Sequence, residues 1–141
     1  MSRAVGAFQV KLEPIALHDE PAMGPGVGRL TLDKMYDGDL IAIGRGEMLS
    51  AMGAEQGSAA YVAIERITGT LHGRSGSFVI QHRGIMTRGA PDLVITVVPD
   101  SGTGELSGIS GAMSIDIRGR DHFYTFEYEL APVTTPRTEQ A

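Results

Sequence analysis

No cysteine occurs in the 141 residues, which excludes a disulfide framework, a zinc–thiolate site and a cysteine nucleophile. Tryptophan and asparagine are also missing, and without asparagine there is no N-glycosylation acceptor. No stretch reaches the roughly 18 consecutive apolar residues that a membrane-spanning helix needs. Positive charge is in short supply: 12 Lys+Arg stand against 17 Asp+Glu, a net charge of −5. That balance weighs against sequence-independent binding to nucleic acid or to an anionic membrane surface, since both are themselves negative. In Met1–Lys11, charge interrupts the apolar residues before they reach signal-peptide length. The expected location is therefore a reducing, bacterial-type cytoplasm.

What is present suits a compact fold rich in turns. Hydrophobic residues make up 42% of the chain and glycine contributes 19 positions, with no collagen period. The length fits one domain, expected over 1–131, with the polar, proline-bearing Pro132–Ala141 as a flexible tail. Apolar and polar residues alternate with a period of two over Ala4–Leu12, Arg29–Tyr36, Asp39–Leu49, Ala59–Leu71, Ser77–Met86, Asp92–Val98, Ser110–Ile117 and His122–Leu130. Gly, Pro or Asp punctuates nearly every gap, as at Asp37-Gly38 and Gly73-Arg-Ser-Gly76. Glu47–Glu55 has some helical spacing through Met48, Leu49 and Met52, but a strand running into a hairpin loop fits it better.

Eight short strands at roughly ten-residue intervals predict an all-β, antiparallel barrel or sandwich. Closure favours the barrel, because it removes the unpaired edges that strands this apolar would expose. Expected inward positions are Phe8, Val10, Leu40, Phe78, Ile80, Ile95, Val97, Met113, Ile115, Tyr124, Phe126, Tyr128 and Leu130.

Three segments are distinctive. They are Glu65-Arg-Ile-Thr-Gly-Thr-Leu-His-Gly-Arg-Ser-Gly-Ser-Phe-Val-Ile-Gln-His82, Val97-Val-Pro-Asp-Ser-Gly-Thr-Gly-Glu-Leu-Ser-Gly108 and Tyr36-Asp-Gly-Asp-Leu-Ile-Ala-Ile-Gly44. Together they resemble the signature of an uncharacterised bacterial family of small barrel proteins, a domain of unknown function, from about Ala4 to Leu130. The resemblance implies a closed eight-stranded antiparallel barrel, allene oxide cyclase-like or calycin-like, akin to dirigent proteins and bacterial polyketide cyclases. It also implies an apolar small molecule in the lumen and a homo-oligomer. Ile41 and Ile43 depart from the acidic, outward residues expected there and could mark a subunit contact; Ile95 stands where an aromatic is common.

For chemistry, Glu65 shares a face with Tyr61, Ala63 and Ile67. Facing inward it would be a carboxylate among apolar groups and a candidate general acid or base; the plainer alternative is a solvated or ion-paired structural residue. His82 shares the parity of Phe78 and Ile80 and is either a proton shuttle or a rim histidine. Gln81 takes the opposite face unless a bulge exchanges the two. Tyr61, Tyr124 and Tyr128 either orient a carbonyl or simply fill the core. Glu47 follows Gly44-Arg-Gly46, so a bulge could turn it inward, although a solvated carboxylate is the plainer reading.

His18, His72, His82 and His122 show no local ligand spacing, so no metal and no other cofactor is expected. The glycine segments lack the phosphate-loop lysine, and no Gly-x-Ser-x-Gly occurs.

These readings predict a barrel that binds an apolar or aromatic small molecule and could act as a cofactor-independent isomerase, cyclase or lyase. The catalytic candidates are Glu65, His82 and Tyr128; Tyr61, Phe78, Ile80, Ile95, Met113, Tyr124, Phe126, Glu47 and Gln81 are the candidate ligand contacts. A non-catalytic carrier or sensor, or a filled-barrel oligomeric scaffold, fits the same residues. On sequence alone Glu65→Gln is expected to leave folding intact and to lower turnover by orders of magnitude.

Overall fold

The computed structural model describes residues 1–131; the expected tail 132–141 lies outside the described residues. Eight antiparallel strands close on themselves in sequence order. They are β1 (Ser2–Ile15), β2 (Val27–Gly38), β3 (Leu40–Met52), β4 (Ala59–Leu71), β5 (Arg74–Thr87), β6 (Ala90–Val97), β7 (Ser110–Arg118) and β8 (Asp121–Glu129). The ring closes where β1 pairs with β8, Phe8 opposite His122.

The strand pattern read from the alternation matches this order, with longer strands than expected: β1 continues through Pro14 to Ile15, and β3 carries on to Met52. Two short elements were unforeseen: a 3-10 turn at Gly104–Leu106 in the β6–β7 connection, and α1 (Glu20–Met23), a single turn in the β1–β2 connection whose N-terminus is capped by the Asp19 side chain. No helix among the described residues is long and apolar enough to cross a membrane.

Two hairpins explain why the long strands meet in register. The β4–β5 turn is His72-Gly73 and the β5–β6 turn is Arg88-Gly89, with positive φ at all four residues. This is the type I′ pattern, whose twist matches that of the flanking strands.

Strict alternation sends one face of each strand into the barrel. At the end bearing the β2–β3 and β4–β5 turns the lumen is filled. Ala4, Leu40, Leu71, Phe78 and Phe126 are fully buried there, the Phe78 and Phe126 rings stack at 5.5 Å, and Leu106 and Ile109 from the β6–β7 connection plug the base. At the opposite end the inward-parity residues Leu12, Met86, Leu93 and Ile117 are exposed, with Val10, Met48 and Tyr61 half-buried below them. The barrel is therefore a cup with a packed base and an apolar rim.

Tyr124 ties the base to the β2–β3 turn. Its hydroxyl accepts from the Leu40 N–H at 2.8 Å and donates to the Asp37 carbonyl at 2.8 Å. Burial raises the pKa of this phenol, so it remains a donor. Tyr124→Phe keeps the ring but strands the buried Leu40 N–H, an expected loss of about 1–3 kcal/mol in urea unfolding.

Candidate functional site

Between packed base and open rim of the lumen, three polar side chains converge on one carboxylate. Glu65, on β4, has no solvent exposure. Its Oε1 accepts from His82 Nε2 at 3.0 Å and lies 3.1 Å from Lys34 Nζ. Its Oε2 accepts from the Tyr36 hydroxyl. Lys34 and His82 are 4% and 2% exposed.

The strand register explains how residues on β2 and β4 meet across β3. Lys34 pairs with Gly44, and Glu65 pairs with Gly46. The Glu65 carboxylate occupies the space above Gly44, where a Cβ would run into Oε2 and approach the Tyr36 ring to 3.1 Å. Glycine at position 44 is thus a close-approach residue that lets the charged groups touch.

The chain of hydrogen bonds continues outward from His82. Its Nε2–H donates to Glu65, so in the neutral ring Nδ1 is left as an acceptor, and the Tyr61 hydroxyl lies 3.3 Å from it. Tyr61 reaches this position because its ring lies over Gly84, where any Cβ would collide with it. A relay therefore runs from half-buried Tyr61 through His82 to fully buried Glu65.

Electrostatics fix the resting protonation. Burial pushes the Glu65 carboxyl up, but the His82 hydrogen bond, the Lys34 charge and the Tyr36 hydrogen bond together outweigh it, and its pKa lies below the ordinary value. Burial, reinforced by the charge of Glu65, raises Tyr36 well above the ordinary phenol value and raises Tyr61 as well. The resting site is a carboxylate ringed by donors, with two protonated phenols.

The fold and this arrangement can be set beside known proteins. Residues 4–128 match the family described as Protein of unknown function (DUF3224). The chain belongs to this family. A crystal structure of a protein with unknown function from the DUF3224 family, from Shewanella oneidensis MR-1, is similar to it. The two are 49% identical with a TM-score of 0.88, over 94% of this chain and 99% of that one. A search of the curated proteins finds no match.

In this DUF3224 barrel the residues expected from sequence fall into four groups. Glu65, His82 and Tyr61 come together. Ile80 pairs across from Glu65, Ile95 from His82, and Met113 from Ile95, so these three wall the cluster. Phe78, Tyr124, Phe126 and Tyr128 belong to the packed base. Tyr128 stacks on Phe126 and shares a hydrogen bond with His72, which places it apart from Glu65 and His82 rather than beside them.

Glu47 and Gln81 point outward. The pairing through Thr31–Glu47 and Ile64–Gln81 continues without the bulge that would have turned them in, and Glu47 instead accepts from Arg29 Nε at 2.9 Å on the outer surface. Neither contacts the lumen. Lys34 and Tyr36 went unassigned from sequence, although both share the parity of Leu30 and Leu32. Among the described residues no group of three or more His, Asp or Glu side chains is arranged to hold a metal ion.

Lys34 changes the outcome expected for Glu65→Gln. Removing one partner of a buried ion pair leaves the other uncompensated, so the substitution should cost about 3–5 kcal/mol rather than leave folding untouched. Because the folded-state pKa of Glu65 is depressed, its stabilisation is present above the ordinary carboxylate value and is lost as pH falls through the lowered one. Urea midpoints between pH 7 and pH 3 should fall for the parent chain and fall less for Glu65→Gln.

Proposed function

We propose that the barrel takes a small apolar or aromatic molecule at its open end and moves a proton on it with Tyr61 and His82, as a cofactor-independent isomerase, cyclase or lyase. The observation that carries this reading is the Tyr61–His82–Glu65 hydrogen-bond chain, running from the rim side of the lumen to a fully buried carboxylate. In such a step the Tyr61 oxygen takes a proton from substrate carbon while its own proton passes to His82 Nδ1. The imidazolium so formed is stabilised by Glu65, and return of the proton to another carbon completes an isomerisation with no redox change. The exposed apolar rim supports an apolar substrate. A ligand in the lumen is also what the family resemblance of the three sequence segments implies, and the cytoplasm is the location we propose.

A second reading, an oligomeric scaffold, is favoured by the outer face. Ile41 and Ile43 are 61% and 49% exposed. A groove of about 720 Å³ runs beside Ile41, between Ala7, Met35 and Phe123.

Native mass spectrometry of protein purified from its own host, with denaturing extraction of what is bound, separates the readings. A stoichiometric organic molecule that is converted by the parent chain, and converted about 10²–10⁴-fold more slowly by Tyr61→Phe and His82→Gln, is the expected result. A molecule returned unchanged identifies a carrier or sensor. A homogeneous oligomer without any organic ligand identifies the scaffold, and Ile41→Glu with Ile43→Glu should then dissociate it on size exclusion.

A further inference from the structure

Lys34 takes no part in that relay, yet its ammonium is buried in the lumen beside Glu65. It rests on the small-molecule reading above to ask what its ammonium is for, and we infer that Lys34 holds a neutral carbonyl oxygen of the ligand. The ammonium is 4% exposed. It lies within ion-pair distance of Glu65 Oε1, at 3.1 Å, but is not aligned for a hydrogen bond, and it has no other hydrogen-bond acceptor. Two aromatic faces adjoin it, Phe8 at 4.9 Å and Tyr36 at 5.6 Å from the ring centroids.

Glu65 already accepts from His82 on one oxygen and from Tyr36 on the other, and the Lys34 ammonium is aligned on neither. Lys34 has three N–H donors, and at most one can be satisfied there. A buried donor without an acceptor is penalised by its full desolvation cost, so an oxygen-bearing ligand gains a charge-assisted hydrogen bond at Lys34 that a hydrocarbon cannot.

Charge selects the class of oxygen. Lys34 and ionised Glu65 cancel, and an anionic ligand oxygen on the same ammonium would meet the Glu65 carboxylate at close range in a low-dielectric interior. A ketone, aldehyde or ester oxygen brings no such repulsion. The ligand class is therefore an apolar or aromatic carbonyl compound, with its carbonyl directed toward Lys34.

The sequence makes this directly observable, because Lys11 and Lys34 are its only lysines. In a ¹H–¹⁵N correlation of the lysine ammonium groups, titration uses 2-cyclohexenone, acetophenone and 1-tetralone against cyclohexene, ethylbenzene and tetralin at millimolar concentration. The expected result is that the ketones bind about tenfold or more tighter than their hydrocarbon partners and shift the Lys34 resonance while Lys11 stays fixed. The double variant Lys34→Met/Glu65→Gln, which removes both charges at once, should lose the preference for each ketone over its hydrocarbon partner. Equal affinities with an unmoved Lys34 signal overturn the assignment and leave lumen binding standing. Absence of binding by all six compounds overturns both. Should the double variant fail to fold, the parent chain's ketone–hydrocarbon comparison and Lys34 signal decide alone.

Discussion

A carboxylate with no access to water has to be neutralised and hydrogen-bonded where it stands, and the middle of this barrel is organised around that requirement at Glu65. Three strands answer it: β2 brings Lys34 and Tyr36, β5 brings His82, and β3 contributes absence, in the form of Gly44. Each contribution depends on register. A slip of one residue in β2 would turn Lys34 and Tyr36 outward together and leave Glu65 with His82 alone. The pairing of Lys34 with Gly44 and of Glu65 with Gly46 is thus both a fold constraint and a condition for the site.

The two ends of the lumen divide the labour. The base is closed by stacked rings and by Tyr124, whose hydroxyl is committed to backbone groups of the β2–β3 turn. Those phenols and phenyls have no free polar edge to offer. The rim leaves apolar side chains of the lumen face exposed. Tyr128 places its hydroxyl against a histidine nitrogen in the packed base, whereas Tyr61 does so on the rim side of the lumen. That position, and not the count of tyrosines, makes it the candidate for contact with a ligand.

Most of the architecture was legible from alternation, because in a closed antiparallel sheet parity decides which side each residue faces, and glycine-bearing gaps decide where the chain turns. Glu65 and His82 were legible for the same reason: each is a polar residue on an apolar stripe. Lys34 carries the same signal, sitting on the stripe of Leu30, Leu32 and Tyr36, but a lysine in a strand ordinarily reaches for water and its parity alone does not say that a carboxylate two strands away awaits it. Tyr128 shows the converse limit. Parity put it inside, correctly, yet only the three-dimensional path of β8 shows that it lies in the packed base with His72. Glu47 and Gln81 depended on bulges, and glycines beside a strand permit a bulge without requiring one.

Membership of a family of unknown function carries the fold to this chain but no activity, so the argument for chemistry has to come from what the lumen contains. If the barrel had only to be filled, charged groups would be a poor way to fill it. Burying an ammonium and a carboxylate costs several kcal/mol of solvation per ion, and a well-packed apolar pair of similar volume is as stable or more so. The base of this same barrel shows that the sequence can fill a lumen with apolar rings. One level higher it places an ion pair, a histidine and two phenols, with one histidine nitrogen on the carboxylate and the other on the Tyr61 hydroxyl toward the rim side. A cluster that an apolar pair could replace without loss of stability supports the proposed binding and proton-transfer role over a purely structural one.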